Sequence, residues 1–138
     1  MYKVLVDSNI FVDFMFHREP YYNLSEKVIG LCENKKIKGY VTTSILMDLH
    51  YIFKRMSHSK ANADMAIMEI MKVFDVVDIN KKDIVYSISI NSKDFEDSII
   101  ENCAYRNSLD YIVTRNIKDF ENTNIKILMP DELISSIK

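Results

Sequence analysis

The sequence is short of the residues that build tight turns and covalent cross-links. It contains two glycines, two prolines and no tryptophan among 138 residues. Hairpin-rich proteins need many tight turns, so the shortage of glycine lowers the expectation of an all-β fold. The two cysteines, Cys32 and Cys103, provide no disulfide framework, and their spacing fits neither a zinc site nor a redox pair.

Long hydrophobic runs are lacking as well. No apolar run approaches the ~18–20 residues that span a membrane, and the first residues lack the long apolar stretch of a signal peptide. We therefore expect a cytoplasmic protein without a membrane partner. The content of 48% hydrophobic residues excludes a disordered chain. The length predicts a single domain over residues 1–138.

An excess of charge of one sign is also missing. The chain has 20 acidic and 18 basic side chains, which give a formal net charge of −2. It therefore has no overall basic field, and this argues against a nonspecific, high-affinity nucleic-acid coat protein. Net charge does not show how the charges are distributed, however. A cation bound at a local group of acids would present positive charge to a phosphate. An enzyme that acts on one phosphate at a time is therefore not excluded.

Short β-branched runs alternate with helix-length segments along the chain. Strands are predicted at 3–6, 40–43, 73–77, 111–114 and 125–128. Helices are predicted at 22–36, 45–57, 60–72, 82–91 and 94–107, with a last short helix that begins at Pro130. This alternation is typical of a parallel sheet with helices on both faces. We predict a three-layer α/β/α fold around a central, mostly parallel sheet of about five strands.

Acidic side chains occur where such a fold places its functional groups, just beyond the carboxyl ends of the strands. Asp7 directly follows the first strand, although the same position suits a helix N-cap. Asp48 interrupts the apolar stripe of the helix at 45–57, where it could also reach water from the flank. Asp97 projects with Ala104 toward the buried side of its helix, and an acid there needs a partner.

Further polar residues follow the fourth strand. Asn116 and Asp119 lie there and could be ordinary turn residues, while Asp94 suits the N-cap of the helix that contains Asp97. Carboxylates ~4 Å apart repel by ~4 kcal/mol at an effective dielectric of about 20, so such a cluster must protonate, separate or bind a cation. Oxygen ligands alone select Mg²⁺ or Mn²⁺. The three histidines share no metal-ligand spacing.

Four blocks of the sequence resemble the PIN-domain family, and within it the small bacterial VapC-type toxins. The blocks are Val6-Asp7-Ser8-Asn9, Ser44-Ile45-Leu46-Met47-Asp48-Leu49, Asp94-Phe95-Glu96-Asp97-Ser98-Ile99 and Tyr111-Ile112-Val113-Thr114-Arg115-Asn116-Ile117-Lys118-Asp119-Phe120. The resemblance covers residues 3 to about 130, and its last two blocks are the most specific. It implies a three-layer α/β fold and a Mg²⁺- or Mn²⁺-dependent ribonuclease. It also implies RNA as substrate, a cognate antitoxin as partner and a homodimer.

The resemblance also implies roles for individual residues. Asp7, Asp48 and Asp97 would be the first three metal-binding carboxylates, and Asp48 stands where the family more often has glutamate. The fourth position falls on Asn116 or Asp119, and an asparagine there would remove one charge. Supporting roles fall to Ser8, Asn9, Asp94, Thr114 and Asn116, and phosphate contacts to Arg115 and Lys118, which adjoin the site. We hypothesise that Asp7 and Asp97 hold the main metal, while Asp48 and Asp119 orient water or a second ion.

Two other classes of α/β protein also have acids at the ends of strands. A phosphate-accepting receiver domain would have an acidic pair after the first strand, and a haloacid-dehalogenase-type phosphatase a second aspartate two residues after Asp7. Ser8 and Asn9 follow Asp7 instead, so both classes are disfavoured. A PIN-like module that binds RNA or a protein without catalysis stays open, because Asn116 could mark a degraded site.

Overall fold

The computed structural model describes residues 1–121 and 124–137. Its strands are β1 (Lys3–Val6), β2 (Lys38–Thr42), β3 (Asp75–Val77), β4 (Tyr111–Val113) and β5 (Lys126–Leu128). Its helices are α1 (Ser8–Met15), α2 (Tyr22–Glu33), α3 (Thr43–Ser57), α4 (Lys60–Val73), α5 (Lys81–Ser89), α6 (Phe95–Arg106) and α7 (Pro130–Ser136), and a 3₁₀ turn spans Ile117–Asp119. The predicted strands and helices are all found, with ends that differ by a few residues.

The five strands form one sheet in the order β3-β2-β1-β4-β5. All four neighbouring pairs are parallel. The predicted fold class is therefore confirmed, and the sheet is parallel throughout the described residues. The chain runs outward from β1 to β3 and then returns to the other side of β1 as β4. This reversal opens a crevice at the carboxyl ends of β1 and β4, where open parallel sheets bind their ligands.

The central strands are buried because helices cover both faces of the sheet. Val4, Leu5 and Val6 of β1 are fully buried, as are Ile112 and Val113 of β4. Strands that are covered on both sides have apolar residues in succession rather than in alternation with polar ones. The two strands that border the crevice are therefore held firmly by the core.

The close approach of helices to β2 explains one of the two glycines. A β-carbon on Gly39 would lie 2.6 Å from the ring of Phe74 and 2.8 Å from the sulfur of Cys32. Because Gly39 has no side chain, Phe74, which follows α4, and Cys32, near the end of α2, can pack directly on this strand. Such contacts leave no room for even a methyl group without displacement of the core.

Helices α1, α3 and α6 begin at the carboxyl edge of the sheet. α1 begins directly after Asp7, its N-cap, and α3 begins directly after Thr42, whose hydroxyl accepts from the Ile45 N–H at 3.1 Å. Asp94 caps α6, because its Oδ1 accepts from the Asp97 N–H at 2.9 Å.

Among the described residues, no helix has the length and hydropathy of a membrane span.

Candidate functional site

Asp7 lies in the crevice between β1 and β4. Its side chain is buried, with its two carboxylate oxygens fixed by different donors. Oδ2 accepts from the hydroxyl of Thr114 at 2.8 Å, and Oδ1 accepts from the N–H of Ser8 at 2.8 Å. Burial raises the pKa of Asp7, and the charges of Asp119 and Asp94 raise it further, while the two hydrogen bonds lower it. The two hydrogen bonds hold this carboxylate in place. The net upward shift of its pKa indicates that they do not fully compensate for its lost hydration.

Asn9 and Thr114 connect the two strand ends around Asp7. The side-chain amide of Asn9 donates to Thr114 Oγ1 at 3.0 Å and to Asp7 Oδ2 at 3.4 Å. Its carbonyl oxygen accepts from the N–H of Arg115 at 3.3 Å, and the N–H of Asn116 donates to Thr114 Oγ1 at 3.1 Å. These contacts are the supporting hydrogen bonds expected of Ser8, Asn9 and Thr114. Their importance for activity stays a prediction.

Asp97 lies in the first turn of α6 with its carboxylate half-buried. Burial is the largest influence on it, and the charges of Asp7, Asp94, Asp119 and Glu96 act in the same direction, so that its pKa rises to about 7. Carboxylates from three separate parts of the chain therefore influence one side chain. The pKa of Asp97 therefore depends on burial first and on the charges of these acids second.

Asp48 approaches the same crevice from α3. It is exposed, as the sequence allowed, yet its pKa is raised first by partial burial and then by the charge of Asp7. Asp48 is therefore exposed to solvent, and its pKa still responds to the charge of Asp7. The prediction that it belongs to the acidic group is supported by this coupling.

The chain after β4 contains the two candidates for the fourth position. Asn116 directly precedes the 3₁₀ turn, Asp119 is its last residue, and both side chains are exposed. The charge of Asp119 raises the pKa of both Asp7 and Asp97. Asn116 contributes its backbone N–H to Thr114. This difference favours Asp119 as the fourth acid and Asn116 as a supporting residue.

The chemistry of the donor set fits a hard divalent cation. The pKa values of Asp7, Asp48 and Asp97 are all raised, first by burial and then by the charges of neighbouring acids. A cation would relieve this repulsion, and carboxylate oxygens are the ligands that Mg²⁺ and Mn²⁺ prefer. As the side chains stand, no three acidic, histidine or cysteine groups of residues 1–121 and 124–137 converge enough to hold a metal. Metal binding would therefore require rotation of the carboxylates.

A buried ion pair beside the site was not predicted from the sequence. Asp13 of α1 is fully buried, and its carboxylate accepts from Arg115 Nε at 2.5 Å and from a terminal nitrogen of Arg115 at 3.2 Å. The guanidinium also lies over the ring of Tyr21, 3.9 Å from its centroid. The one signal in the sequence is the spacing of three residues between Ile10 and Asp13, which places Asp13 on the same face of α1 as the buried Ile10.

This ion pair changes the expectation for the two basic residues near the site. The guanidinium of Arg115 is engaged by Asp13 and Tyr21, whereas Lys118 is exposed on the 3₁₀ turn. Lys118 is therefore the better placed of the two for a phosphate contact. Arg115 mainly fixes the segment that follows β4, although its contact with RNA stays a prediction.

The family model described as PIN domain matches residues 3–118. Among curated proteins, no relative matches significantly in sequence.

Several solved structures share the fold at low sequence identity. DNA-bound VapBC from Salmonella typhimurium has a TM-score of 0.69 at 18% identity, over 94% of this chain and 99% of that one. VapBC2 from Rickettsia felis, bound to a DNA fragment from its promoter, has a TM-score of 0.66 at 17% identity, over 92% and 98%. VapC20 of Mycobacterium tuberculosis, described as a sarcin-ricin loop cleaving toxin, has a TM-score of 0.63 at 9% identity, over 79% and 86%. At these identities the likeness establishes the fold.

Proposed function

Because this chain belongs to the PIN domain family, we propose that it is a metal-dependent ribonuclease that hydrolyses RNA phosphodiester bonds. The observation that carries the proposal is the pKa of Asp97, which burial and the surrounding carboxylates raise to about 7. A cluster of this kind costs stability unless a cation binds to it. The relative VapC20, which shares the fold, is described as cleaving the sarcin-ricin loop. We further propose that the protein is the toxin of a toxin–antitoxin pair and acts in the cytoplasm.

The residues of the site have distinct tasks in this proposal. Asp7 and Asp97 hold the main metal, while Asp48 and Asp119 orient water or a second ion. A bound Mg²⁺ or Mn²⁺ would supply a nucleophilic hydroxide and neutralise charge on the scissile phosphate. Thr114 and Ser8 keep the carboxylate of Asp7 in one orientation through the hydrogen bonds described above.

Two further groups complete the proposed site. Asp94 caps α6 and thereby fixes the backbone of its first turn, from which Asp97 projects. Lys118 approaches the RNA backbone and contacts a phosphate that flanks the cleaved one. A histidine base would not be required, because a bound divalent cation would supply the hydroxide.

Mn²⁺ titration together with an RNA cleavage assay tests the proposal. We expect calorimetry to show saturable Mn²⁺ binding and structured RNAs to be cleaved only when Mn²⁺ or Mg²⁺ is present. EDTA should stop cleavage, and an excess of Mn²⁺ should restore it. The absence of metal binding would instead favour a PIN-like module that holds RNA or a protein without catalysis.

An apolar groove supports an antitoxin as partner. It lies among α1, α2 and α4 with a volume of about 410 Å³, and Phe11, Phe14, Ile29 and Phe74 contribute to its lining. One solved relative, from Klebsiella pneumoniae, is described as a toxin–antitoxin complex. Glu33 and Glu69 are exposed at this groove, so a helix with apolar residues on one face and basic residues at its edges would suit it.

Growth rescue tests this partner. Expression of the chain should arrest growth, and co-expression of an antitoxin encoded beside its gene should restore it. We expect Ala66→Arg, in the groove, to abolish rescue while cleavage activity persists, because the long charged side chain would fill the space for the partner. Met68→Arg is the matched control, since Met68 is exposed on the same helix and does not line the groove. Rescue of the Ala66→Arg variant would contradict the assignment of the groove.

Homodimerisation stays a prediction. The apolar helices between residues 45 and 72 could supply its interface or could be plain core. α3 and α4 pack against each other through buried residues such as Leu49 and Ala63. Tyr51 and Met56 nevertheless remain exposed on α3. Exposed apolar side chains of this kind are consistent with an interface between two copies.

A further inference from the structure

A second cleft adjoins the acidic cluster on the side of β2 and β3. It lies between α3, α5 and α6, has a volume of about 330 Å³ and is lined by residues that include Ser44, Met47, Ile79, Ile84, Glu96 and Ile99. This volume is at the lower end of the ~300–1,000 Å³ that is usual for ligand pockets.

The cleft shares two helices with the proposed catalytic residues. Ser44 lies one turn before Asp48 on the same face of α3. Glu96 directly precedes Asp97 in the first turn of α6. A ligand in the cleft would therefore be a direct neighbour of the group that reacts at the carboxylates.

The walls of the cleft combine apolar side chains with a few polar groups. Met47 and Ile84 are 67% and 40% exposed, so the cleft leaves substantial apolar surface uncovered. Thr43 and Ser44 supply hydroxyl groups, and Glu96 supplies the one carboxylate among the lining residues that the structure describes. An apolar surface bordered by hydrogen-bonding groups suits a nucleobase, whose face packs on apolar side chains while its edge forms hydrogen bonds.

Charge decides which part of an RNA can enter. The sugar–phosphate backbone is anionic and would be repelled by Glu96, which has no metal-binding role in the proposed site. A base is neutral and carries N–H donors for a carboxylate. The cleft therefore suits a base, while the adjacent phosphate would lie at the metal-binding carboxylates.

Glu96 also discriminates among the four bases, because an ionised carboxylate only accepts hydrogen bonds. Guanine presents two adjacent donors, its N1–H and its 2-amino group, which match the two carboxylate oxygens. Uracil presents one ring N–H. Adenine and cytosine place an amino group beside an unprotonated ring nitrogen, which would face the carboxylate with its lone pair.

We propose that this cleft binds an unpaired guanine base next to the phosphate that is cleaved, with Glu96 as the selecting residue. This inference rests on the proposed function for its biological meaning, since it names the nucleotide that flanks the reaction. The binding of the base itself needs neither a metal nor cleavage. It can therefore be tested separately.

Titration of the metal-free protein with neutral nucleosides tests the cleft directly. With methyl-labelled methionine, the Met47 resonance should shift saturably with guanosine, while Met65 and Met68 on α4 should stay unchanged. Inosine lacks the 2-amino group and should bind about 10-fold more weakly, as expected for the loss of one hydrogen bond. No Met47 shift with guanosine, or equal affinity for guanosine, adenosine, cytidine and uridine, would overturn the proposal.

A filled cleft provides the matched variant. Ile84→Trp should abolish the guanosine shift of Met47 and the preference for guanine beside the cleaved bond, because the indole occupies the cleft. Ile88→Trp is the control, since Ile88 is one turn further along α5, is exposed and does not line the cleft. Retention of both properties by the Ile84→Trp protein would contradict the proposal.

The same measurements separate this inference from the proposed function. A wild-type protein that binds guanosine but cleaves no RNA with Mn²⁺ would refute the ribonuclease and leave the cleft assigned. A protein that cleaves RNA without a guanine preference and shows no guanosine binding would refute the cleft alone.

Discussion

Replacement of Asp97 by asparagine is expected to abolish Mn²⁺-dependent RNA cleavage. Asparagine has the same shape, so α6 keeps its first turn, but the negative charge that would hold the cation is lost. Even residues that only support metal ligands commonly change activity by about 10–100-fold, so the loss for a ligand should be at least ~100-fold. The rate of cleavage of a structured RNA at saturating Mn²⁺ provides the measurement.

Asp131→Asn is the control for this substitution. Asp131 is an exposed acid in the first turn of α7, as Asp97 is an acid in the first turn of α6. The control removes the same charge from the first turn of another helix, far from the acidic cluster in sequence, and activity should be retained. An Asp97→Asn protein as active as the wild type would refute the assignment of Asp97 as a metal ligand.

The same substitution should change how the stability of the metal-free protein depends on pH. The pKa of Asp97 is raised from 3.8 to about 7 in the folded state. Between these values the folded protein keeps a proton that the unfolded chain has lost, so the contribution to stability is present at low pH and disappears as the pH rises through 7.

Urea denaturation between pH 5 and pH 7 measures this effect. The wild-type protein should lose stability over this interval, and the Asp97→Asn protein should show a flatter profile and equal or greater stability at pH 7. Mn²⁺ should stabilise the wild type more at pH 7 than at pH 5, because the metal binds deprotonated carboxylates. Identical pH profiles for the two proteins would contradict the repulsion inferred at Asp97.

Disruption of the buried ion pair should have the largest effect on folding. Asp13→Asn leaves the guanidinium of Arg115 without its counter-charge, and loss of one partner of a buried pair typically costs about 3–5 kcal/mol. The side chain of Arg115 is 22% exposed and can turn partly toward water, so we expect about 3 kcal/mol. The free energy of unfolding in urea provides the measurement.

Asp64→Asn is the matched control for this prediction. Asp64 also forms ion pairs, with Lys60 and His50, but all three side chains are substantially exposed. Exposed pairs contribute about 0–1 kcal/mol, so this variant should be nearly as stable as the wild type. A double-mutant cycle with Arg115→Gln isolates the coupling between Asp13 and Arg115. A coupling near zero would show that the pair does not stabilise the segment after β4.

The ion pair between Asp13 and Arg115 also supports the hydrogen bonds around Asp7, through the contacts of Arg115. Its side chain is held by Asp13, and its backbone N–H donates to Asn9, which in turn donates to Thr114. Loss of the pair is therefore expected to loosen the hydrogen bonds that orient Asp7. Activity of the Asp13→Asn protein should fall even under conditions in which the protein is fully folded.

Much of the fold could be predicted because its causes are local. Apolar strands that alternate with amphipathic helices allow few packings other than a parallel sheet covered on both faces. The short β-branched runs became the five strands, and the N-cap at Asp94 formed as its residue type indicates. Asp7 also stood out because it directly follows the first strand.

Only part of the arrangement of the candidate site could be predicted from the sequence. Position in the chain left Asn116 and Asp119 as equal candidates, and the charge coupling of Asp119 to Asp7 and Asp97 distinguishes them only after the chain has folded. The base-binding cleft is likewise formed by helices distant in the chain, and no local pattern indicates it.

By itself, the sequence determined the α/β class, the succession of elements and the acids at the strand ends, because these depend on local pattern and on the residue that follows each strand. Only the tertiary structure decided that Arg115 pairs with a buried Asp13. It likewise decided that acids from four separate elements act on one another. Burial and the distance between charges set the pKa of a carboxylate and the strength of an ion pair, and both quantities exist only once the chain has folded.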